Sequence, residues 1–548
     1  MNKSNMYRNS LKIILIPLIV LAALVTGLLL GSLFTRPDAI GRPEFFLPQG
    51  SKLDVVLNMV NHSYVDTVDM EKIEEEAISE VIKNLDPHTV YIPAKEMAKV
   101  NEEMVGNFGG IGVQFYKYLD TVTVIKVVPG GPSERAGILD GDRIIRVDDS
   151  LVAGVKMNDE KIMSMLRGDM GTRVRITLVR RGVPEPFVKE ITRGGIPVKS
   201  IDVSYMYDDT TGYIKVNTFS FTTYDEFMEA LHKLGEQGMR KVIVDLRDNV
   251  GGVLPVAIQM VNEFLKERQL ILYTQGKASP RSDYYSNGKG EYQTLPLAVL
   301  IDENSASASE IFAGAIQDND RGIIVGRRSF GKGLVQEQRM LPDGSALRLT
   351  VARYYIPSGR SIQRPYTNGK KEYYEDYYNR LIHGEMAEKD SIRFDESLRY
   401  ETAGGREVYG GGGIMPDLFV PADTTGVTKY LVELRMKMLL YDYTFYFMDH
   451  HRSEMTGFKD YKEVLAYLKR FDLVGEMAAY AEKRGLKKDR KGLQESRELI
   501  LNSIQAYIAR NVLDNQGFYP VSGRMDATLQ KAAGANPRPV VEQAEKTE

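Results

Sequence analysis

The chain has 548 residues, which exceeds the size of a single hydrophobic core and predicts several domains. Its 71 basic and 74 acidic residues give a formal net charge of −3, which does not favour nucleic-acid binding. The absence of cysteine excludes disulfides, thiol catalysis and zinc–thiolate sites, and the sequence contains no His-Glu-x-x-His motif.

The N-terminal residues 1–34 are predicted to be a membrane anchor. An uncharged run at residues 13–33 follows Lys3, Arg8 and Lys12. At about 1.5 Å per residue, such a helix spans the roughly 30 Å of a bilayer core. The preceding cations favour a cytoplasmic N-terminus, so we expect the rest of the chain outside the cytoplasm. A cleaved signal peptide is the alternative.

Three segments of different character follow this run. Proline and glycine predict a linker over residues 35–50. Apolar residues at helical spacing predict a helical segment over residues 51–104. Residues 105–190 contain short β-type runs separated by Gly-Pro turns and one short helical stretch, which predicts a β domain.

Alternating strands and helices dominate residues 195–365. The predicted strands are 213–216, 242–246, 297–301, 323–325 and 346–351, and the predicted helices are 225–235, 256–266 and 305–318. Continuous apolar strands in such an alternation are typical of an α/β core with a largely buried sheet. The predicted fold class is therefore multidomain, α/β and α+β.

The C-terminal third is predicted to be mostly helical. Residues 366–405 are polar and tyrosine-rich and predict a surface insertion, interpreted as a solvated loop with a binding role as the alternative. Residues 406–423 are predicted to return to the core. Residues 424–523 are predicted to be helical; within them, the apolar stretch 431–448 is interpreted as core, with dimerisation as the alternative. The composition of residues 524–548 predicts a disordered tail.

A serine-rich segment opens the predicted helix at 305–318. Residues 305–310 read Ser-Ala-Ser-Ala-Ser-Glu and follow a buried-type strand. A hydroxyl at a helix N-terminus lies near unpaired N–H groups that stabilise a developing oxyanion. Simple helix capping is the alternative, because Ser307 and Glu310 also match a capping box.

Two further segments carry glycines beside reactive groups. Lys332 stands between Gly331 and Gly333, and desolvation there would lower the lysine pKa toward that of a general base. Gly251 and Gly252 follow a predicted strand and could present bare N–H groups to an oxyanion. An exposed loop lysine and an ordinary turn are the respective alternatives.

The segment around Lys332 also matches part of a phosphate-binding loop. Gly326 and Gly331-Lys332 have the required spacing, but Gly333 stands where a magnesium-binding Ser or Thr belongs. The residues that follow predict a hairpin rather than the helix that cradles phosphate. We therefore reject nucleotide binding. The Gly-x-Ser-x-Gly motif of α/β-hydrolases is also absent.

Together, these segments resemble the carboxy-terminal processing proteases, also called tail-specific proteases. The resemblance implies that Ser307 is the nucleophile, that Lys332 is its general base 25 residues later, and that Gln336 orients the lysine. It also implies an oxyanion hole formed by Gly252, with Gly251 as a further candidate, and the amide of Ala308. Residues 85–89 resemble an N-terminal segment of the family, in which His88 is interpreted as structural.

The β domain at 105–190 resembles the family's PDZ domain. Gly110, Ile111, Gly112 and Val113 resemble its carboxylate-binding loop, which implies that this domain holds the C-terminus of a protein substrate by strand addition. Residues 366–405 and the residues after 427 lie outside the part of the chain that resembles the family.

The sequence therefore predicts a serine endopeptidase of the cell envelope. We expect it to be anchored in the inner membrane, to act on the periplasmic side on proteins with exposed C-termini, and to need no metal or cofactor. A homodimer or an adaptor protein is a further partner to consider. A catalytically inactive PDZ scaffold or an envelope adaptor is the alternative function.

Overall fold

The computed structural model describes residues 51–367 and 369–535. The predicted anchor and linker lie outside these residues and stay predictions. Among the helices described, none is long and apolar enough to cross a bilayer. The first two are α1 (Lys52–Ser63) and α2 (Met70–Ile82). The compact unit that contains every site discussed below begins at residue 78.

A short strand and a helix lead into a small antiparallel β domain. They are β1 (Val90–Ile92) and α3 (Ala94–Val105). The elements of the β domain are β2 (Asn107–Gly110), β3 (Val113–Tyr118), β4 (Thr121–Val127), α4 (Pro132–Arg135), β5 (Arg143–Val147), β6 (Ser150–Leu151), α5 (Asp159–Leu166), β7 (Arg173–Val179), β8 (Phe187–Thr192) and β9 (Gly194–Pro197). The strand order is β3-β4-β5-β7-β8, with β6 beside β5 and β2 paired with β9. Strand β3 therefore lies at an edge, where another strand can add.

The next part of the chain forms the α/β core. Its elements are β10 (Ile201–Met206), β11 (Thr211–Val216), α6 (Thr223–Glu236), β12 (Lys241–Asp245), α7 (Leu254–Asn262), β13 (Leu270–Gln275), β14 (Ser282–Tyr285), β15 (Leu297–Ile301), α8 (Ala308–Asp318), β16 (Ile323–Gly326), β17 (Leu334–Met340), β18 (Ala346–Tyr355), α9 (Lys370–Ile382), β19 (Arg399–Glu401), β20 (Glu407–Tyr409) and β21 (Leu418–Phe419). The predicted strand–helix alternation of this region is therefore present.

Two sheets organise this core. The central sheet has the order β10-β11-β12-β15-β16-β21, and its strands from β11 to β21 run parallel. Because β12 and β15 are parallel neighbours, the turns that follow them meet at one edge of the sheet. The second sheet has the order β1-β18-β13-β14, and β17 pairs with β18. These pairings bring the chain before β1 close to β17.

The C-terminal helices form a core of their own. They are α10 (Lys429–Met436), α11 (Leu439–His451), α12 (Tyr461–Leu468), α13 (Leu473–Lys483), α14 (Arg490–Glu495), α15 (Arg497–Leu513), α16 (Asn515–Ser522) and α17 (Ala527–Gly534). Most of the apolar side chains of the stretch 431–448 are buried in this core. The helices also contact the β domain, since the Tyr116 hydroxyl donates to Asp442 at 2.8 Å and the Tyr116 ring stacks on Phe445.

The end of the chain covers one face of the central sheet. Residues of β12 alternate between two faces: Val242 and Val244 face the helices α6, α7 and α8, whereas Ile243 faces the other way. Leu529 and Ala532 of α17 pack on that second face. The prediction of disorder from residue 524 onward is therefore wrong as far as residue 535, because this helix buries apolar surface that the sheet would otherwise expose.

Replacing Leu529 with alanine is expected to lower the free energy of unfolding by about 2–5 kcal/mol, because the side chain is 2% exposed and its loss leaves a cavity. The chain lacks tryptophan, so urea unfolding is best followed by circular dichroism. Met525→Ala is the matched control, because Met525 is 41% exposed just before the same helix. Equal, small effects of both variants would show that α17 does not support the sheet.

Candidate active site

Ser307 stands at the turn between β15 and α8. The predicted helix at 305–318 begins later than expected, at Ala308, and Ser307 precedes it with φ 56° and ψ −114°. A residue other than glycine in this conformation costs about 1–3 kcal/mol and is held only by its surroundings. Ser307 is half-buried, whereas Ser305 and Ser309 are buried and donate to the carbonyl oxygens of Leu246 and Asn249, both at 2.8 Å. Ser307 is therefore the accessible hydroxyl of the three.

The buried carboxylate of Glu310 joins the serine turn to the lysine loop. Its Oε2 accepts the N–H groups of Ser307 at 2.9 Å and of Lys332 at 2.8 Å. Its Oε1 accepts the Ser329 hydroxyl at 2.5 Å and the Gly331 N–H at 2.7 Å. The Glu310 half of the predicted capping box is thus present, and the same oxygen also binds the lysine backbone. This shared acceptor brings the backbones of Ser307 and Lys332 together.

A tyrosine on β18 makes a second connection between the two segments. The Tyr354 side chain is buried, and its hydroxyl contacts the carbonyl oxygens of Ser307, at 3.2 Å, and of Lys332. The two predicted catalytic residues are therefore linked through both their N–H and their C=O groups. Neither Glu310 nor Tyr354 was assigned this role from sequence. The Glu310 position in the capping pattern is the one signal that pointed to it.

The side chain of Lys332 is held by Gln336. Lys332 Nζ donates to Gln336 Oε1 at 3.0 Å, and Gln336 Nε2 donates to the carbonyl oxygen of His88 at 2.6 Å. The structure thus brings Gln336 beside the lysine amine, the position that the resemblance implies for it. His88, interpreted as structural, lies next to this pair because β1 pairs with β18.

Burial lowers the pKa of both Lys332 and His88. Desolvation, and secondarily the charge of Arg348, lower the pKa of Lys332 below its ordinary value, while the carboxylates of Glu310 and Asp86 oppose the shift. Desolvation, with the nearby Lys332 charge, lowers the pKa of His88 to about 4. The imidazole is therefore neutral at pH 7, and the amine is more easily deprotonated than an exposed lysine.

The glycines after β12 lie against the serine turn. A Cβ built on Gly251 would lie 2.8 Å from the Ser307 Cβ and 2.7 Å from the Ala306 carbonyl oxygen, so no larger residue fits. The Gly251 N–H already donates to Asn249 Oδ1 at 2.9 Å. Gly251 therefore supplies close approach rather than the predicted oxyanion contact, because its donor is already paired.

The other two predicted oxyanion donors remain open. Within residues 51–367 and 369–535, neither the Gly252 N–H nor the Ala308 N–H donates a hydrogen bond. Gly252 adopts φ 146°, and a Cβ there would lie 2.1 Å from the Phe219 carbonyl oxygen. An unpaired N–H beside a nucleophile is the feature that an oxyanion hole requires.

A groove in the β domain lies between β3 and α5. Its volume is about 360 Å³, and the four residues predicted to bind a carboxylate, Gly110, Ile111, Gly112 and Val113, all line it. Met163, Leu166 and Arg167 line the opposite wall. The Arg167 guanidinium lies 4.2 Å from the centre of the Phe108 ring and 3.9 Å from Glu102 Oε2, and Asp159 also lines the groove. Sequence reasoning missed this arginine because no pattern in the chain links it to the glycine loop.

No group of three or more His, Cys, Asp or Glu side chains in the described part of the chain is arranged to hold a metal ion. The groups that the site does bring together are a hydroxyl, an amine of lowered pKa and two unpaired N–H groups. This is the set needed for acyl transfer to a serine.

Three family models match separate parts of the chain. Peptidase family S41 matches residues 210–369, the PDZ domain matches residues 109–187, and a family of unknown function, DUF8443, matches residues 430–514. The first match contains Ser307 and Lys332, and the second contains every residue that lines the groove except Phe108.

Similar proteins carry names consistent with these matches. The carboxy-terminal-processing protease of Bartonella bacilliformis is 34% identical over 313 residues, which cover 56% of this chain and 71% of the relative. A probable CtpA-like serine protease of Staphylococcus haemolyticus is 33% identical over 313 residues, covering 57% of this chain but only 62% of the relative. Among solved structures, the photosystem II D1 C-terminal processing protease is 25% identical, covers 69% of this chain and 90% of its own, and gives a TM-score of 0.35.

Proposed function

Because the chain belongs to the carboxy-terminal-processing proteases of peptidase family S41, we propose that it is a serine endopeptidase that cuts proteins docked by their C-termini. One observation carries the proposal: the Ser307 and Lys332 N–H groups share one oxygen of Glu310, while the Lys332 amine is held by Gln336. A hydroxyl and a partly desolvated amine on adjoining backbones suit a Ser-Lys mechanism.

In the proposed mechanism, neutral Lys332 accepts the proton as Ser307 attacks the scissile carbonyl carbon. The developing oxyanion is bound by the N–H groups of Gly252 and Ala308. Lys332 then gives its proton to the leaving amine, and the acyl-enzyme forms. Water, deprotonated by the same amine, attacks the ester carbonyl carbon. As the bond to the Ser307 oxygen breaks, protonated Lys332 returns the proton to that oxygen, and the product leaves with its new carboxyl group.

Substrate selection is assigned to the groove of the PDZ domain. A C-terminal segment adds to the edge strand β3, and its last carboxylate lies at the loop from Gly110 to Val113. Arg167 on the opposite wall pairs with Glu102 at 3.9 Å, and the terminal carboxylate would compete with Glu102 for the same guanidinium, a contact that sequence reasoning did not include. A chain whose C-terminus is exposed by partial unfolding would satisfy both contacts.

Two versions of one unstructured peptide test this function. The purified protein is expected to cleave the version with a free C-terminal carboxylate and to cleave its C-terminally amidated version with a KM at least about tenfold higher, since charge-assisted hydrogen bonds are lost. Cleavage products are measured by mass spectrometry. No cleavage of either peptide, together with tight binding of the free carboxylate, would favour a scaffold without activity.

A further inference from the structure

The tyrosine-rich insertion covers the lysine loop. Helix α9 was predicted to lie within a solvated surface segment, but Tyr373 and Arg380 on this helix are only 2% and 4% exposed. Arg380 donates to the carbonyl oxygens of Ser329, at 3.0 Å, and Arg328, at 2.8 Å. The insertion is therefore part of the site's support, because it binds the backbone that leads to Lys332.

Arg364 and two aromatic rings form a second set of contacts between α9 and the lysine loop. The Arg364 guanidinium lies between two rings, 4.0 Å from the centre of Phe330 and 4.1 Å from that of Tyr373. Arg364 also forms an ion pair of 2.8 Å with Asp376 on α9. Phe330 stands two residues before Lys332, so this stack joins α9 to the lysine loop.

A line of hydrogen bonds connects the helix to the Lys332 amine. The Tyr373 hydroxyl lies 2.8 Å from His88 Nε2. The His88 carbonyl oxygen accepts Gln336 Nε2 at 2.6 Å, and Gln336 Oε1 accepts Lys332 Nζ at 3.0 Å. The first two links join residues 285 and 248 positions apart, and the third spans four residues. The position of the amine therefore depends on the helix of the insertion.

We propose that Tyr373 is a positioning residue for the general base: by holding His88 in place, its hydroxyl fixes Gln336 and keeps the Lys332 amine in its partly buried position. The proposal rests on the proposed function, since it assigns Lys332 the role of base. Tyr373 touches no reacting atom and acts through His88 and Gln336. Its hydroxyl also contacts the side chains of Arg364 and Gln363, and Gln363 Oε1 accepts the Gly333 N–H at 2.8 Å.

The charged side chains around Lys332 shift the pKa of its amine in opposite directions. Arg348 of β18 lowers the lysine pKa, and Glu310 of α8 and Asp86 of the segment before β1 raise it. His88 is neutral above its pKa of about 4 and carries no charge in the pH range of interest. Of these effects, desolvation is the largest, so loosening of the support admits water and raises the Lys332 pKa toward 10.5.

The test is Tyr373→Phe, which removes one hydroxyl and keeps the ring. We expect kcat/KM for the free-carboxylate peptide to fall about fivefold to tenfold near pH 7, as expected for a lost hydrogen bond in a buried site. We also expect the acid limb of the pH profile to move to higher pH, so that the deficit shrinks above pH 9. Tyr378→Phe is the control, because Tyr378 lies on the same helix and is 64% exposed.

A merely structural role of Tyr373 would give a different result. Lower thermal stability with an unshifted pH profile, or a uniform loss at every pH, would overturn the proposal. A double-mutant cycle with His88→Leu supplies a second measurement, since the double variant should lose little more activity than either single variant if the two side chains act as a pair. Additive losses would contradict this.

The closing control separates this inference from the proposed function. If Ser307→Ala is inactive and Tyr373→Phe keeps the wild-type pH profile, only the positioning role fails. If Ser307→Ala remains active, the assignment of the nucleophile fails, whatever Tyr373→Phe shows.

Discussion

Ser307→Ala is expected to lower kcat for the free-carboxylate peptide by about 10⁴-fold or more, as removal of a serine nucleophile does in other proteases. The hydroxyl is the attacking atom in the proposed mechanism, and the neighbouring Ser305 and Ser309 are engaged with backbone carbonyl oxygens and cannot replace it. Single-turnover kinetics with the purified variant measure the loss.

Peptide binding by Ser307→Ala is measured as the control. The PDZ groove does not contain Ser307, so the dissociation constant of a labelled C-terminal peptide should match that of the wild type. A serine-directed phosphonate should label the wild-type protein at Ser307 and leave the variant unlabelled. Activity above a tenth of wild type, or an adduct on Ser305 or Ser309, would contradict the assignment.

Lys332→Met has the second largest expected effect, a loss of about 10²–10⁴-fold in kcat, which is the range for removal of a general base. Methionine is close in shape to the aliphatic part of the lysine side chain and lacks the amine. Lys332→Arg is the matched variant, because arginine keeps the charge and cannot be deprotonated near neutral pH. If the lysine acts as a base, both variants are inactive; if it acts only as a cation, the arginine variant retains activity.

The α/β core could be predicted from sequence because its signals are local. Continuous apolar strands such as β15, and helices with an apolar stripe such as α8, show their periodicity within a dozen residues. The resemblance carried by Ser307, Lys332 and Gln336 is confirmed at the level of the family by the matched relatives. Their catalytic roles stay predictions.

The support of the site could not be predicted, because it depends on contacts between distant residues. Tyr373 meets His88 across 285 positions, and neither lies in a pattern that links the two. Tyrosine and charge in the insertion therefore suggested a solvated loop, although one face of α9 is buried. The order of residues 524–535 could not be predicted for a related reason. The apolar residues of α17 are few, and the sheet face that they cover is formed by strands far away in sequence.

Gly251 shows that sequence alone does not identify which of two adjacent glycines has an unpaired N–H. From sequence, the resemblance favours Gly252 for the oxyanion contact and keeps Gly251 as a further candidate, since each has an N–H and no side chain. The Asn249 side chain distinguishes them by accepting the Gly251 N–H. The position of one amide oxygen thus decides which glycine has an open donor, and this position is set by the turn in three dimensions.

The most direct test of the central claim, that Lys332 activates Ser307, is the pH dependence of the rate at which a serine-directed phosphonate labels Ser307. We predict that the wild-type rate rises with pH to a plateau, with a midpoint below the ordinary lysine pKa of 10.5, since the base must be neutral and its pKa is lowered by burial. In Lys332→Met, the labelling rate should be low and should not show this rise with pH. The same limb in both proteins, or labelling of the variant at the wild-type rate, would contradict the account.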